Sequence, residues 1–221
     1  MINTVLMTHI QERLPASKLW TPVVSSASLT GATVGIPTGV SNRHVHLSQA
    51  DIEALFGEGY QLHPLKELSQ PGQFAAKECV MVVGPKGSIN NVRVLGPARS
   101  ETQLEVSKAD CYALGIKAPV RESGDLYQSA DALLVGTTGH VNLQSKVICA
   151  QRHIHMSPQD AQLLGVEHGQ KVRVSAGQQC GLVFEQVVVR VDDRYALEFH
   201  IDTDEANAAG IRSGDAVYLV D

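Results

Sequence analysis

From residue 36 onward the chain alternates short apolar runs with turn residues. Cys79-Val80-Met81-Val82-Val83 is apolar and rich in β-branched residues. Gly84-Pro85-Lys86-Gly87 has the composition of a tight turn, and Asn91-Val92-Arg93-Val94-Leu95 reads as the returning strand. Lys171 to Ser175, Leu182 to Val191, Ala196 to Ile201 and Ala216 to Val220 have the same strand character. Helices are expected to be few and short. The first 35 residues differ. Ile2, Val5, Leu6, Ile10 and Leu14 recur at helical spacing until Pro15 stops the run. Residues 21–35 are rich in Ser, Thr, Ala, Val and Gly and show no amphipathic period. The pattern predicts a short helix over residues 1–20 on a flexible linker over 21–35. Such a helix either docks on its own domain or binds a partner. A cleaved secretory signal fits poorly, because Glu12 and Arg13 interrupt the apolar stretch and no basic region precedes it.

The strand pattern carries an internal repeat. Asn42-Arg43-His44-Val45-His46-Leu47-Ser48, followed by Asp51 and Leu55, returns as Gln151-Arg152-His153-Ile154-His155-Met156-Ser157, followed by Asp160 and Leu164. Each copy ends in helix-start chemistry. Ser48 and Ser157 can accept from the free backbone N–H groups of a first turn, and Asp51 and Asp160 suit its positive end. Pro158 falls at the first helical position, where its missing N–H costs nothing. A second match aligns Arg99 with Arg194, Glu105 with His200, Val106 with Ile201, Gly115 with Gly210 and Ile116 with Ile211. Again a strand enters a capped helix, through Ser107 and Asp110 in one copy and Asp202 and Glu205 in the other. A duplication of this kind predicts two similar β-rich lobes related by a pseudo-two-fold axis.

Residues two apart on a strand share a face, so His44 and His46 point one way, and His153 and His155 do the same. Adjacent imidazoles repel when protonated and are comfortable when neutral and bound to a divalent cation. One His-x-His is weak evidence. Two in register, each after an Arg and before the same cap, are strong evidence of metal binding. The second matched block supplies a third donor for each pair. One set is then His44, His46 and Glu105, and the other is His153, His155 and His200, with the donors staying within each half or crossing between lobes. Three protein donors with an open fourth position describe catalytic rather than structural zinc. Nitrogen-rich sets suit zinc ahead of cobalt, nickel or iron. Arg99 follows the Gly96-Pro97 turn and either grips a phosphate bidentately or pairs with a neighbour such as Glu101. Arg43 and Arg152 alternate with the histidines and are expected to point away from the metals as structural residues. His9, His63, His140 and His168 have no repeat partner and read as ordinary surface or core histidines.

Composition narrows the setting. The 221 residues accommodate one large domain or two small ones, and 43% hydrophobic residues suffice for a core. A net charge of −5 speaks against a nucleic-acid partner. No apolar run approaches the roughly 18–20 residues of a membrane span. Cys79, Cys111, Cys149 and Cys180 form no C-x-x-C pair and read as free thiols of a reducing cytoplasm. Gly136-Thr137-Thr138-Gly139 reads as a plain loop, and no phosphate-binding glycine fingerprint is present.

Three blocks carry a family resemblance: Ser41-Asn42-Arg43-His44-Val45-His46-Leu47-Ser48, Leu95-Gly96-Pro97-Ala98-Arg99 with Glu105, and Arg152-His153-Ile154-His155-Met156-Ser157. From about residue 36 to its end the chain resembles the PduL-type phosphate propanoyltransferases. The tail before it is similar to the encapsulation peptides that direct such enzymes into bacterial microcompartments. The resemblance implies a mainly β fold of two related β-barrels capped by short α-helices. Residues 36–43 plus 151–221 would form the first barrel and residues 44–150 the second. It implies two zinc ions bound by the six donors named above, and Arg99 as the catalytic contact to phosphate. It further implies coenzyme A contacts at Val40, Ser41, Asn42, Lys86, Arg93 and Asn207. The implied reaction moves a short acyl group, propanoyl or acetyl, reversibly between coenzyme A and inorganic phosphate to give acyl phosphate. The implied location is the cytoplasm, inside a microcompartment whose shell or core proteins contact residues 1–20, with no membrane. A homo-oligomer is compatible with all of this. Two other classes compete. A dinuclear zinc hydrolase would use the same donors to activate water, although His-x-His amidohydrolases need a (β/α)₈ barrel of about 250 residues. A non-catalytic shell or scaffold component would leave the open coordination position without a use.

Overall fold

The computed structural model describes residues 34–177 and 181–220. The helix expected over residues 1–20, most of the 21–35 linker, His9 and Cys180 lie outside the described residues. The first copy of the His-x-His block gives β1 (Ile36–Ser41), β2 (His44–Ser48) and α1 (Gln49–Phe56). There follow β3 (Pro64–Glu67), β4 (Phe74–Val83), β5 (Ser88–Arg99), β6 (Gln103–Glu105), α2 (Lys108–Leu114), β7 (Val120–Arg121), β8 (Ala130–Val135) and β9 (His140–Ala150). The second copy opens β10 (His153–Met156), α3 (Pro158–Leu164), β11 (Lys171–Ala176), β12 (Leu182–Val191), β13 (Glu198–Asp202), α4 (Thr203–Ala209) and β14 (Ala216–Val220). The strand expected from Ala196 starts at Glu198 instead, because the Ala196 N–H leaves the ladder to donate to the Gln70 side chain, at 3.3 Å.

The strands close into two six-stranded barrels. The first runs β1-β13-β10-β12-β11-β14. The second closes through β9-β6-β2-β5-β4-β8, because β8 pairs with both β4 and β9; β3 and β7 are added at its flanks. The two orders coincide when the repeat is superimposed. Each His-x-His strand lies between a parallel partner, β5 or β12, and an antiparallel partner, β6 or β13. The strand before each His-x-His is exchanged between barrels. β1 joins β13 in the barrel of β10, whereas β9 joins β6 in the barrel of β2. Asn42 and Arg43 therefore cross the junction in one direction, and Gln151 and Arg152 cross it in the other.

Each barrel holds its own core. Val45, Leu47, Val94, Leu104, Leu134 and Val147 fill one, and Ile154, Met156, Val187, Val189, Phe199 and Val217 fill the other. Each such side chain contributes about 1.5–3 kcal/mol by leaving water. Pleating sends the intervening histidines to the outer face of the same strands. That face is not solvent, for His46 is 3% and His155 8% exposed. It is the junction between the barrels.

The helices obey their caps. Ser107, Ser157 and Asp202 each accept from the third backbone N–H while the acid there returns the bond. α1 departs from this pattern. Ser48 accepts from the Asp51 N–H, but the Ser48 N–H donates to the Thr102 hydroxyl at 2.8 Å and Asp51 bonds both hydroxyls. Gly115, Gly165 and Gly210 end their helices in the left-handed conformation that a side chain would oppose.

Candidate active site

The repeat builds two donor clusters, one per barrel. His44 and His46 of β2 meet Glu105 of β6, and His153 and His155 of β10 meet His200 of β13. In each set the potential ligand atoms lie within 4.8 Å of one another. The strand ladders explain why: His44 pairs with Glu105 and His153 pairs with His200 across the antiparallel partner. Donors do not cross between barrels. The first imidazole of each pair is oriented identically, with His44 Nδ1 2.9 Å from the Asn42 carbonyl and His153 Nδ1 2.8 Å from the Gln151 carbonyl. A proton held on Nδ1 leaves the Nε2 lone pair free. Glu105 is set up in the same way. Its Oε1 accepts from Gln103 at 2.6 Å and Ser123 at 3.1 Å, leaving Oε2 3.5 Å from His44 Nε2.

The electrostatics favour neutral imidazoles. Burial, then the charges of His44 and Arg99, push His46 down to about 2. Burial, then His200, pushes His153 down to about 3. Burial, then His153 and His200, pushes His155 down to about 2. Burial would raise the Glu105 carboxyl, but His44, His153, Arg99 and the Ser123 hydroxyl hold it below the usual carboxylate range. Both ring nitrogens of His155 are buried without a hydrogen-bond partner. An unmet buried polar group of this kind costs about 1–3 kcal/mol. A divalent cation among these three imidazoles would remove that cost, so these residues fit a metal by their own chemistry.

The clusters face each other. His153 of one barrel acts on Glu105 of the other, and Arg190 on Arg99. Arg99 stands at the end of β5, and among the described residues it forms no salt bridge; Glu101 pairs with Lys146 instead. Beside Arg99 and His46 lies a cavity of about 230 Å³ walled by Pro71, Gly72, Gln73, Gly96 and Pro97. Gly96 is required there by close approach, since a Cβ would meet the Phe74 ring at 2.2 Å. Arg194, the repeat counterpart of Arg99, is instead exposed and bound to Asp192 at 2.8 Å. Arg190, which faces His155 in the β10–β12 ladder, supplies the second cation. Its only sequence signal is a charge ending the apolar run of β12. Tyr195 was equally unmarked, and its ring stacks on His155 at 4.0 Å.

The family profile described as phosphate propanoyltransferase matches residues 37–212. A Thermotoga maritima protein of that name is 56% identical over 189 residues, covering 85% of this chain and 90% of its own length. A Salmonella typhimurium phosphate propanoyltransferase is 53% identical over 176 residues, covering 79% and 83%. One from Rhodopseudomonas palustris is 50% identical over 184 residues, covering 83% and 81%. The chain belongs to the phosphate propanoyltransferase family. It is an acyltransferase.

Other residues of this phosphate propanoyltransferase family member sort by position. Arg43 and Arg152 point away from the clusters. Arg43 Nε bonds Asp110 at 2.7 Å and Arg152 bonds Glu205 at 2.7 Å, each the capping acid of the helix that follows the third donor. Val40 and Ser41 lie on β1 and Asn42 follows it at the β1–β2 crossing, while Asn207 lies on α4, which packs on β1. Arg93 pairs with His44 in the β2–β5 ladder, but its guanidinium donates to the Ala76 and Lys77 carbonyls at 3.0 and 2.9 Å. Lys86 lies in the β4–β5 turn with its stem against Gly115 at the end of α2. His63 bonds Glu78 at 2.7 Å, and His168 accepts from the Val191 N–H. Cys111 and Cys149 are buried free thiols 3.7 Å apart, and Cys79 is free as well. No helix among the described residues is long and apolar enough to cross a membrane.

Proposed function

We propose that this chain moves a short acyl group, propanoyl or acetyl, reversibly between coenzyme A and inorganic phosphate. The observation that carries this reading is the pair of facing, repeat-related donor triads beside an arginine that forms no salt bridge among the described residues. The His44, His46 and Glu105 set would hold one divalent ion and the His153, His155 and His200 set another, zinc being the best match to these donors, ahead of cobalt, nickel or iron. Bound there, zinc would favour the thiolate form of coenzyme A and polarise a carbonyl. Arg99 binds phosphate and aims one of its oxygens at the acyl carbonyl carbon; Arg190 adds positive charge to the same space. The new O–C bond forms as the C–S bond breaks, and Arg99 balances the charge that gathers on the way. No side chain is acylated. Val40, Ser41, Asn42, Lys86, Arg93 and Asn207 are the proposed coenzyme A contacts, and residues 1–20 the segment that recruits microcompartment proteins.

The test is to mix acetyl or propanoyl phosphate with coenzyme A and the zinc-loaded chain. Thioester formation supports the transferase. Hydrolysis alone would identify a zinc hydrolase, and neither product a scaffold. Isotope exchange between acyl phosphate and free phosphate without coenzyme A, or a trapped acyl-enzyme, would refute direct transfer.

A further inference from the structure

Glu198 opens β13, 8% exposed, and faces His155 across the β10–β13 ladder. Its Oε2 lies 3.1 Å from His200 Nε2. The same oxygen accepts from the Ser69 hydroxyl at 2.5 Å and from Gln70 Nε2 at 3.1 Å. Ser69 and Gln70 belong to the other barrel, in the connection of residues 68–73 between β3 and β4. Gln70 fastens that connection further, donating to the Ala196 carbonyl at 3.2 Å and accepting from its N–H at 3.3 Å. The residues next along it, Pro71, Gly72 and Gln73, are the wall of the cavity beside His46 and Arg99. Behind the carboxyl, Gly39 leaves it room, for a Cβ there would stand 2.7 Å from Glu198 Cδ.

The repeat sharpens the point. Gln103 faces His46 as Glu198 faces His155. Each barrel therefore carries one carboxylate over two strand positions, Gln103 with Glu105 in one and Glu198 with His200 in the other. The acid has moved from the donor position to the position beside it. A carboxylate buried at a barrel junction costs several kcal/mol unless its partners compensate. Here the partners are a candidate ligand and a cavity wall.

We propose that Glu198 is a positioning residue, holding the His200 ring for a divalent ion and clamping residues 68–73 as the wall of the substrate cavity. The first half rests on the metal reading above; the second does not. A carboxylate against a ligating imidazole fixes its orientation and raises its basicity, and losing one weakens metal binding about 10–100-fold. The clamp acts on substrate through the shape of the cavity beside Arg99.

The test compares the full chain with its Glu198→Gln and Ser69→Ala variants, each loaded with zinc. Elemental analysis counts ions during chelator titration, and kcat and KM for phosphate are measured separately. The unmutated chain is expected to hold two ions. Glu198→Gln should lose one of them at about 10–100-fold less chelator and raise the KM for phosphate. Ser69→Ala should keep both ions and raise that KM alone. A chelator curve and KM unchanged in Glu198→Gln overturn the proposal, even if the melting temperature falls. An unchanged KM in Ser69→Ala overturns the clamp. An unmutated chain that transfers acyl groups with no ion bound overturns the metal reading and the His200 half with it, and the two KM values then decide the clamp.

Discussion

Arg99 and the six donors separate two roles that a single activity assay would merge. On the proposed mechanism, Arg99→Ala removes a charged contact to phosphate and leaves both triads in place. It should cost about 10²–10³-fold in turnover while elemental analysis still finds two ions; loss of an ion would show that Arg99 is structural. The histidines predict a pH response of definite sign. Unfolded, each takes up a proton near 6.5, whereas folded His46, His153 and His155 stay neutral down to about 2, 3 and 2. Below pH 6.5 the unfolded chain binds more protons, so stability is present above that value and is lost as pH falls. The loss reaches about 1.4 kcal/mol per pH unit for each histidine. Calorimetry on chelated protein should show the melting temperature falling between about pH 7 and pH 5, and a flat profile would contradict the neutral-imidazole arrangement. At this scale the sequence pointed to the residues that the fold gathers into two clusters, because His-x-His repeats at fixed spacing. It left Arg190, Tyr195 and Glu198 unmarked, since each reaches the site from β12, β13 or the connection between them, which only the fold sets beside β10.

At the scale of elements, each arginine before a His-x-His grips the cap of the helix after the third donor. One ion pair thus ties together two strands that supply ligands to one cluster. Arg152→Met should cost about 1–2 kcal/mol and loosen the His200 end, seen as weaker zinc retention with an unchanged strand signature by circular dichroism. Ser157→Ala removes a cap and should cost about 1 kcal/mol in denaturant unfolding. The hairpin of β4 and β5 and the caps of α2, α3 and α4 were legible from local chemistry alone. The Ser48 cap of α1 was legible too, but not that the Thr102 hydroxyl, far away in sequence, takes the place of the returning carboxylate.

At the scale of the molecule, the exchanged strands β1 and β9 join the two barrels. Because both triads and Arg99 lie within the described residues, deleting residues 1–20 should preserve thioester formation, while a reporter carrying those residues should enter microcompartments and one lacking them should not. By itself the sequence determined the two donor triads, the alternation that points them to one face, and the duplication that makes the two halves alike. These follow from period-two strand geometry and capping chemistry, which act over a few residues. Only the tertiary structure decided that each triad closes within its own barrel, that the polar faces of β2 and β10 meet in a water-poor junction, and that Arg190 rather than Arg194 reaches Arg99. Those outcomes depend on which strands pair across long stretches of chain. The same pairing dries the junction, keeping His46, His153 and His155 neutral.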